Sequence, residues 1–173
     1  MAPQQRALAA PRIDVRIAPT FRTEVRPAWL RAIARRALAA EGVTGPVQVG
    51  IAVTDEETVR GLNQRFLGLD EATDVLSFGL ADAAEAPFAL PPEEAASLGE
   101  VVIAYPTALR QAQEAGRRID AELAHLLVHG LLHLLGYDHQ RPEDGSAMRR
   151  REEEILAGLP VSAGPFEGLH GGL

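Results

Sequence analysis

The chain has no cysteine. Disulfides, a thiol nucleophile and any cysteine-ligated metal site are therefore excluded, and the absence is compatible with a reducing cytosol. There is also no lysine: all seventeen basic residues are arginine, which reads as genome composition more than as function. No stretch approaches the ~18 consecutive apolar residues of a membrane span, so no membrane partner is expected. The opening M-A-P-Q-Q-R-A-L-A-A-P-R-I-D has no long apolar core and no convincing cleavage site, so no signal peptide is expected there. Together these absences point to the cytoplasm. Internal repeats, a P-loop and a G-x-G-x-x-G fingerprint are missing too.

What is present suits one domain. The 173 residues are 46% hydrophobic, enough for a sizeable core. Net charge is −7, which argues against strong unspecific nucleic-acid binding. The charge is uneven: residues 1–40 carry eight Arg against two acids, residues 41–100 twelve acids against two Arg. Arg26, Arg31, Arg35 and Arg36 fall on one expected helix and could form a basic face for nucleic acid. A solvated helix face explains that stretch equally well.

Taken in order, residues 1–11 are expected to be a disordered tail, 12–157 a single domain and 158–173 a flexible tail. Ile13 to Ile17 alternates at period two, a half-buried strand. Pro27 opens a helix at the tolerated first turn. Val47 to Val53 is a second strand, and Thr54 or Asp55 caps the helix that buries Val59, Leu62 and Phe66. Asp74 to Phe78 is a third strand. Residues 79–98, rich in Ala, Pro and acids, are expected as a surface loop, a possible flap. Gly99 to Ala104 is a fourth strand, and Pro106 starts a helix ending near Gly116. Asp120 caps a helix that carries histidines. Asp144, Gly145 and Ser146 precede a last helix, with Arg149–Arg151 and Glu152–Glu154 on its wet side. The expected fold is α+β: a small mixed four-stranded sheet with about five helices, one of them a buried, histidine-bearing helix.

Four of the five histidines lie in H-L-L-V-H-G-L-L-H-L-L-G-Y-D-H, residues 125–139. Helix positions four apart share a face, which pairs His125 with His129 and His129 with His133. His125 and His133 are about 12 Å apart along the axis, while a zinc ligand atom lies about 2.0–2.1 Å from the ion. One pair must therefore recruit a third ligand from off the helix. Gly136 is placed to stop the helix in a left-handed turn, bringing His139 back toward His129 and His133. Three imidazoles and one open position form the catalytic pattern of a zinc site; nickel, copper or iron also suit such ligands. Leucines surround these residues. A lone histidine there would be a hydrogen-bonded core residue, which is the reading for His125. His170 reads as a surface histidine.

At H-G-L-L-H-L-L-G-Y-D-H the chain resembles the YbeY family, bacterial zinc proteins assigned as endoribonucleases of ribosomal RNA maturation. L-N-Q-R-F-L-G-L-D-E-A-T-D-V-L-S-F (62–78), L-G-E-V-V-I (98–103) and M-R-R-R-E-E-E-I-L (148–156) resemble its other signatures, in order. The resemblance implies one zinc ion on His129, His133 and His139. It implies cleavage of single-stranded RNA in maturation of the small-subunit ribosomal RNA 3′ end and ribosome quality control, with the ribosome or ribosomal proteins as partners. Its L-N-x-x-[YF]-R signature carries an Arg where this chain has Leu67; Ala72 and Glu100 replace its usual Pro and Asp. Arg65 points about 200° away from position 67 on an ideal helix.

The expected chemistry is metal-assisted phosphodiester hydrolysis. His129, as a ligand, and Asp138, orienting an imidazole or the water, are the catalytic candidates, with Ser77 and Glu100 lining the cleft. A metzincin-like layout suggests a metalloprotease as the alternative, but H-E-x-x-H puts its general base where this chain has Gly130, so a distant carboxylate such as Glu100 would have to serve. A non-catalytic ribosome-associated factor with a structural metal is the third reading.

Overall fold

A computed structural model describes residues 10–79, 96–137 and 141–159. Most of the expected tails (residues 1–9 of the first, 160–173 of the second), residues 80–95 of the expected loop, and Asp138, His139 and His170 lie outside the described residues. Four strands, β1 (Arg12–Ile17), β2 (Val47–Thr54), β3 (Val75–Phe78) and β4 (Ala96–Ala104), form one sheet in the order β1-β2-β4-β3. β1, β2 and β4 run parallel, and β3 pairs antiparallel with β4 at the edge. The fourth strand begins three residues before Gly99, so the expected loop is shorter at that end.

Parallel strands need long crossovers, and the helices supply them. α1 (Pro27–Ala40) joins β1 to β2 after a short 3-10 turn at Pro19–Phe21; α2 (Glu56–Leu67) follows β2. α3 (Tyr105–Ala115), α4 (Ile119–Leu134) and α5 (Pro142–Ala157) follow the sheet. Proline opens α1, α3 and α5, where its missing N–H has no intrahelical partner to lose. Asp55 caps α2 by accepting from the Thr58 N–H at 2.6 Å; that bond holds its carboxyl below the usual range.

Two helix ends differ from expectation. Arg118 is the N-cap of α4, and Asp120 sits two residues further on, in the first turn, fully buried. Its carboxylate takes two bonds from Arg118 at 3.1 Å and so serves an ion pair instead of a cap. α5 starts at Pro142, so Asp144, Gly145 and Ser146 belong to it. Proline's fixed φ favours the earlier start despite the glycine behind it.

The sheet separates two cores. Val49, Ile51 and Val53 of β2 and Val101 and Ile103 of β4 face α1, α3, α4 and α5. Ala52, Val102, Ala104, Leu76 and Phe78 face α2, with Val59 and Leu62. Leu123, Leu127, Leu131 and Leu132 of α4 are at most 1% exposed, each contributing about 1.5–3 kcal/mol by burial. Leu159, in the expected loose C-terminal tail, joins this larger core.

Candidate metal centre

α4 reaches the sheet through Gly130. A Cβ there would lie 2.6 Å from Val101 Cγ1 and 3.2 Å from Ser77 Oγ, so only glycine lets the helix backbone pack this closely. Ser77 closes the contact by donating to the Gly130 carbonyl at 3.1 Å. With Gly130 turned to the sheet, His129 and His133 lie on the same side of α4 as each other, partly exposed. Their Nε2 atoms approach to 3.1 Å and their ring centroids to 4.7 Å. Two nitrogens bound to one tetrahedral ion at about 2.0–2.1 Å would stand about 3.3–3.4 Å apart. The pair therefore has the spacing of two ligands of a single ion.

The turn after α4 forms as the spacing predicts. Gly136 takes φ +101°. Its N–H donates to the His133 carbonyl and that of Tyr137 to the Leu132 carbonyl, both at 3.0 Å. This crossed pair is the Schellman closure. The Tyr137 hydroxyl then donates to Glu41 at the end of α1, at 2.9 Å. Arg151 of α5 donates to the same Glu41. Glu41 thus ties the end of this turn to both α1 and α5. Among the described residues, no three His, Asp or Glu side chains form a group able to hold a metal ion.

Glu152 was expected on a wet surface and is not there. It is 5% exposed, because Met148, Glu152 and Ile155 are the buried positions of α5. His129 Nδ1–H donates to one carboxylate oxygen, and His125 Nε2–H donates to the other at 3.2 Å. Burial by itself would raise the Glu152 carboxyl; the bonds and charges of the two histidines overturn that and bring it to about 2. The same bond raises His125. Glu152 is the buried partner of the two histidines that the charge pattern hid. The spacing of Met148 and Ile155, four before and three after, was the signal that could have revealed it.

Glu100 is brought to the other side of the sheet. Its neighbour Val101 meets Gly130, so Glu100 points away from α4 and lies over Gly50 of β2. Ser77 reaches the histidine helix and Glu100 does not, since successive strand residues face opposite ways. The basic face of α1 is partly committed: Arg31 donates to the Ile13 carbonyl at 3.2 Å and Arg36 to the Gly158 carbonyl at 3.0 Å. Leu67 is 51% exposed, and Arg65 lies over the Phe66 ring at 5.1 Å.

Beside the histidines opens a cavity of about 500 Å³, bounded by His125, His129 and Glu152 on one side and by Arg141, Gly145 and Arg149 on the other.

The family described as Endoribonuclease YbeY matches residues 18–160. A Roseiflexus sp. (strain RS-1) protein named Endoribonuclease YbeY is 44% identical over 151 residues, covering 87% of this chain and 94% of the relative. The protein of that name from Desulforamulus reducens is 43% identical over 135 residues, 77% of this chain and 86% of the relative. The solution structure of TM1509 from Thermotoga maritima superposes with a TM-score of 0.53 at 24% identity, covering 83% of this chain and 86% of that one, and supports the fold. On its sequence and its mixed four-stranded architecture, the chain belongs to the Endoribonuclease YbeY family, a family of RNA-cleaving hydrolases.

Proposed function

We propose that this protein is a zinc-dependent endoribonuclease that cuts single-stranded RNA, with maturation of the small-subunit ribosomal RNA 3′ end and ribosome quality control as its context. The observation that carries the proposal is the convergence of the His129 and His133 Nε2 atoms at 3.1 Å, backed by Glu152, in a chain of this family. His129 and His133 would supply two ligands to one zinc ion per chain, and His139 the third, in a metzincin-like layout. Held by these residues, zinc would supply positive charge at the phosphate and would lower the pKa of a water to about 7.

The chain's own groups prepare the site. Glu152 accepts the Nδ1 proton of His129, so the ligating tautomer has its lone pair on Nε2. Tyr137 and Arg151, both tied to Glu41, fix the end of the turn that follows α4. Asp138 is proposed to orient an imidazole or the water. Leucines on α4 and the Gly130 contact keep the helix rigid against the sheet. Among the described residues no helix is long and apolar enough to cross a membrane. The ribosome and a cytoplasmic location belong to the same proposal.

A protease would need a carboxylate base on the histidine side. Gly130 faces the sheet and Glu100 lies behind it, and Glu152, the carboxylate on the histidine side, is engaged by His125 and His129. The test is incubation of the purified protein with single-stranded RNA and with casein, each with and without chelator. RNA cleavage that chelator abolishes, with casein intact, is expected. Casein cleavage would establish the protease, and RNA binding without cleavage at normal metal content would establish a non-catalytic factor.

A further inference from the structure

Leu67 leaves open which residue handles the RNA phosphates. The structure narrows the choice among arginines. Arg31 and Arg36 are spent on backbone carbonyls, Arg60 on Asp70, Arg110 on Glu56, Arg118 on Asp120 and Arg151 on Glu41 and Glu154. Arg65 rests on Phe66. Arg141 and Arg149 are different. They line the cavity that also contains His129, and neither guanidinium makes a hydrogen bond or ion pair among the described residues.

We propose that Arg141 and Arg149 form a phosphate-binding subsite for the backbone of single-stranded RNA, beside the His129–His133 centre. The proposal rests on the endoribonuclease reading and gives its substrate a place to bind. Arg141 is the N-cap of α5 and Arg149 lies inside the helix, eight positions on; both line the cavity, with the side-chain-free Gly145 between them. A guanidinium matches a phosphate with two parallel N–H donors. Two such forks on one wall suit a strand whose anionic groups recur along its length. Among the described residues that line the cavity the one carboxylate is Glu152; it is occupied by His125 and His129, so it does not cancel the arginines. In a chain of net charge −7, attraction for RNA has to be local, and this is where unpaired positive charge meets a candidate metal ligand.

The test compares two double variants of the full chain that remove the same charge. Arg141→Ala/Arg149→Ala empties the cavity wall. Arg22→Ala/Arg150→Ala removes two exposed arginines that do not line it. Binding of a short fluorescein-labelled single-stranded RNA is followed by anisotropy across a salt series, with cleavage and metal content measured in parallel. For the cavity variant we expect binding about 10–100-fold weaker at low salt. The slope of log K against log salt should become shallower by about 1.4, two contacts at ~0.7 each. Metal content should not change, and the effect on cleavage should fall on KM more than on kcat. The control variant should bind like the parent. Equal effects of the two variants, or none from the first while the parent binds and cleaves RNA, would overturn the subsite and leave the endoribonuclease reading standing. A parent that neither binds nor cleaves RNA would overturn that reading itself, and the subsite with it.

Discussion

Glu152 and Glu100 are both buried carboxylates, at 5% and 2% exposure, on opposite sides of one sheet. Glu152 meets two imidazoles and is brought down to about 2. Both oxygens of Glu100 are buried without a hydrogen-bond partner among the described residues. Burial pushes it up to about 7, offset only in part by the charge of Arg16. Burial acts upward on both groups, so it is the partners that decide the outcome. The difference separates a carboxylate arranged to hold histidines from one that is merely enclosed.

The comparison can be broken most severely at the ligands. His129→Ala should reduce RNA cleavage by at least about 10³-fold, since a bound metal contributes several kcal/mol to such transition states. Single-turnover cleavage assays measure it, and retention of more than a tenth of the rate would remove His129 from the centre. Glu152→Gln keeps the size but loses the charge and one acceptor oxygen. Zinc affinity should fall about 10–100-fold, read by competition with a chromophoric chelator. An unchanged affinity would reduce Glu152 to a packing role.

The two carboxylates also predict opposite pH slopes. The folded-state pKa of Glu100 is raised from 4.5 to about 7, so the folded protein holds the proton more tightly. Its contribution is fully present below about 4.5 and is lost as pH rises to about 7. The loss is on the order of 3 kcal/mol. Glu152 is lowered, so its contribution is present above about 4.5 and is lost as pH falls toward 2. Glu100→Gln should therefore flatten stability between pH 4.5 and 7 and exceed the parent at pH 8, measured by urea unfolding. A parent-like slope in that variant would show that Glu100 is not the group responsible.

The smallest effect concerns two helical glycines. Gly61 of α2 has open space where a Cβ would be, whereas Gly130 has Val101 at 2.6 Å. Gly61→Ala should stabilise by about 0.4–1 kcal/mol. Gly130→Ala carries an overpacking cost of about 1–3 kcal/mol against the propensity gain, so it should come out destabilising. Thermal melts of the pair decide it, and a stabilising Gly130→Ala would mean that α4 does not need to approach β4 so closely.

Local patterns carried much of this into view. Alternation gave the first strand, prolines gave two helix starts, and Gly136 gave the turn after α4. The four-residue spacing of His129 and His133 gave the pair that converges. Other features depend on contacts distant in sequence. Glu152 sits in R-R-R-E-E-E, which looks solvated residue by residue, and its partners lie 23 and 27 positions away. The side taken by Glu100 depends on strand parity relative to Val101, which nothing local fixes until α4 docks. Asp120 had the composition of a cap, but its ion pair with Arg118 moved the start of the helix. The place of Gly130 against Val101 and Ser77, not its sequence position alone, accounts for the missing protease base.

The most direct test is metal bound per chain after exhaustive dialysis, by inductively coupled plasma mass spectrometry, for the parent, His133→Ala and Glu100→Gln. The account predicts about one zinc per chain for the parent and for Glu100→Gln, and close to none for His133→Ala. Full occupancy in His133→Ala, or its loss in Glu100→Gln alone, would contradict it.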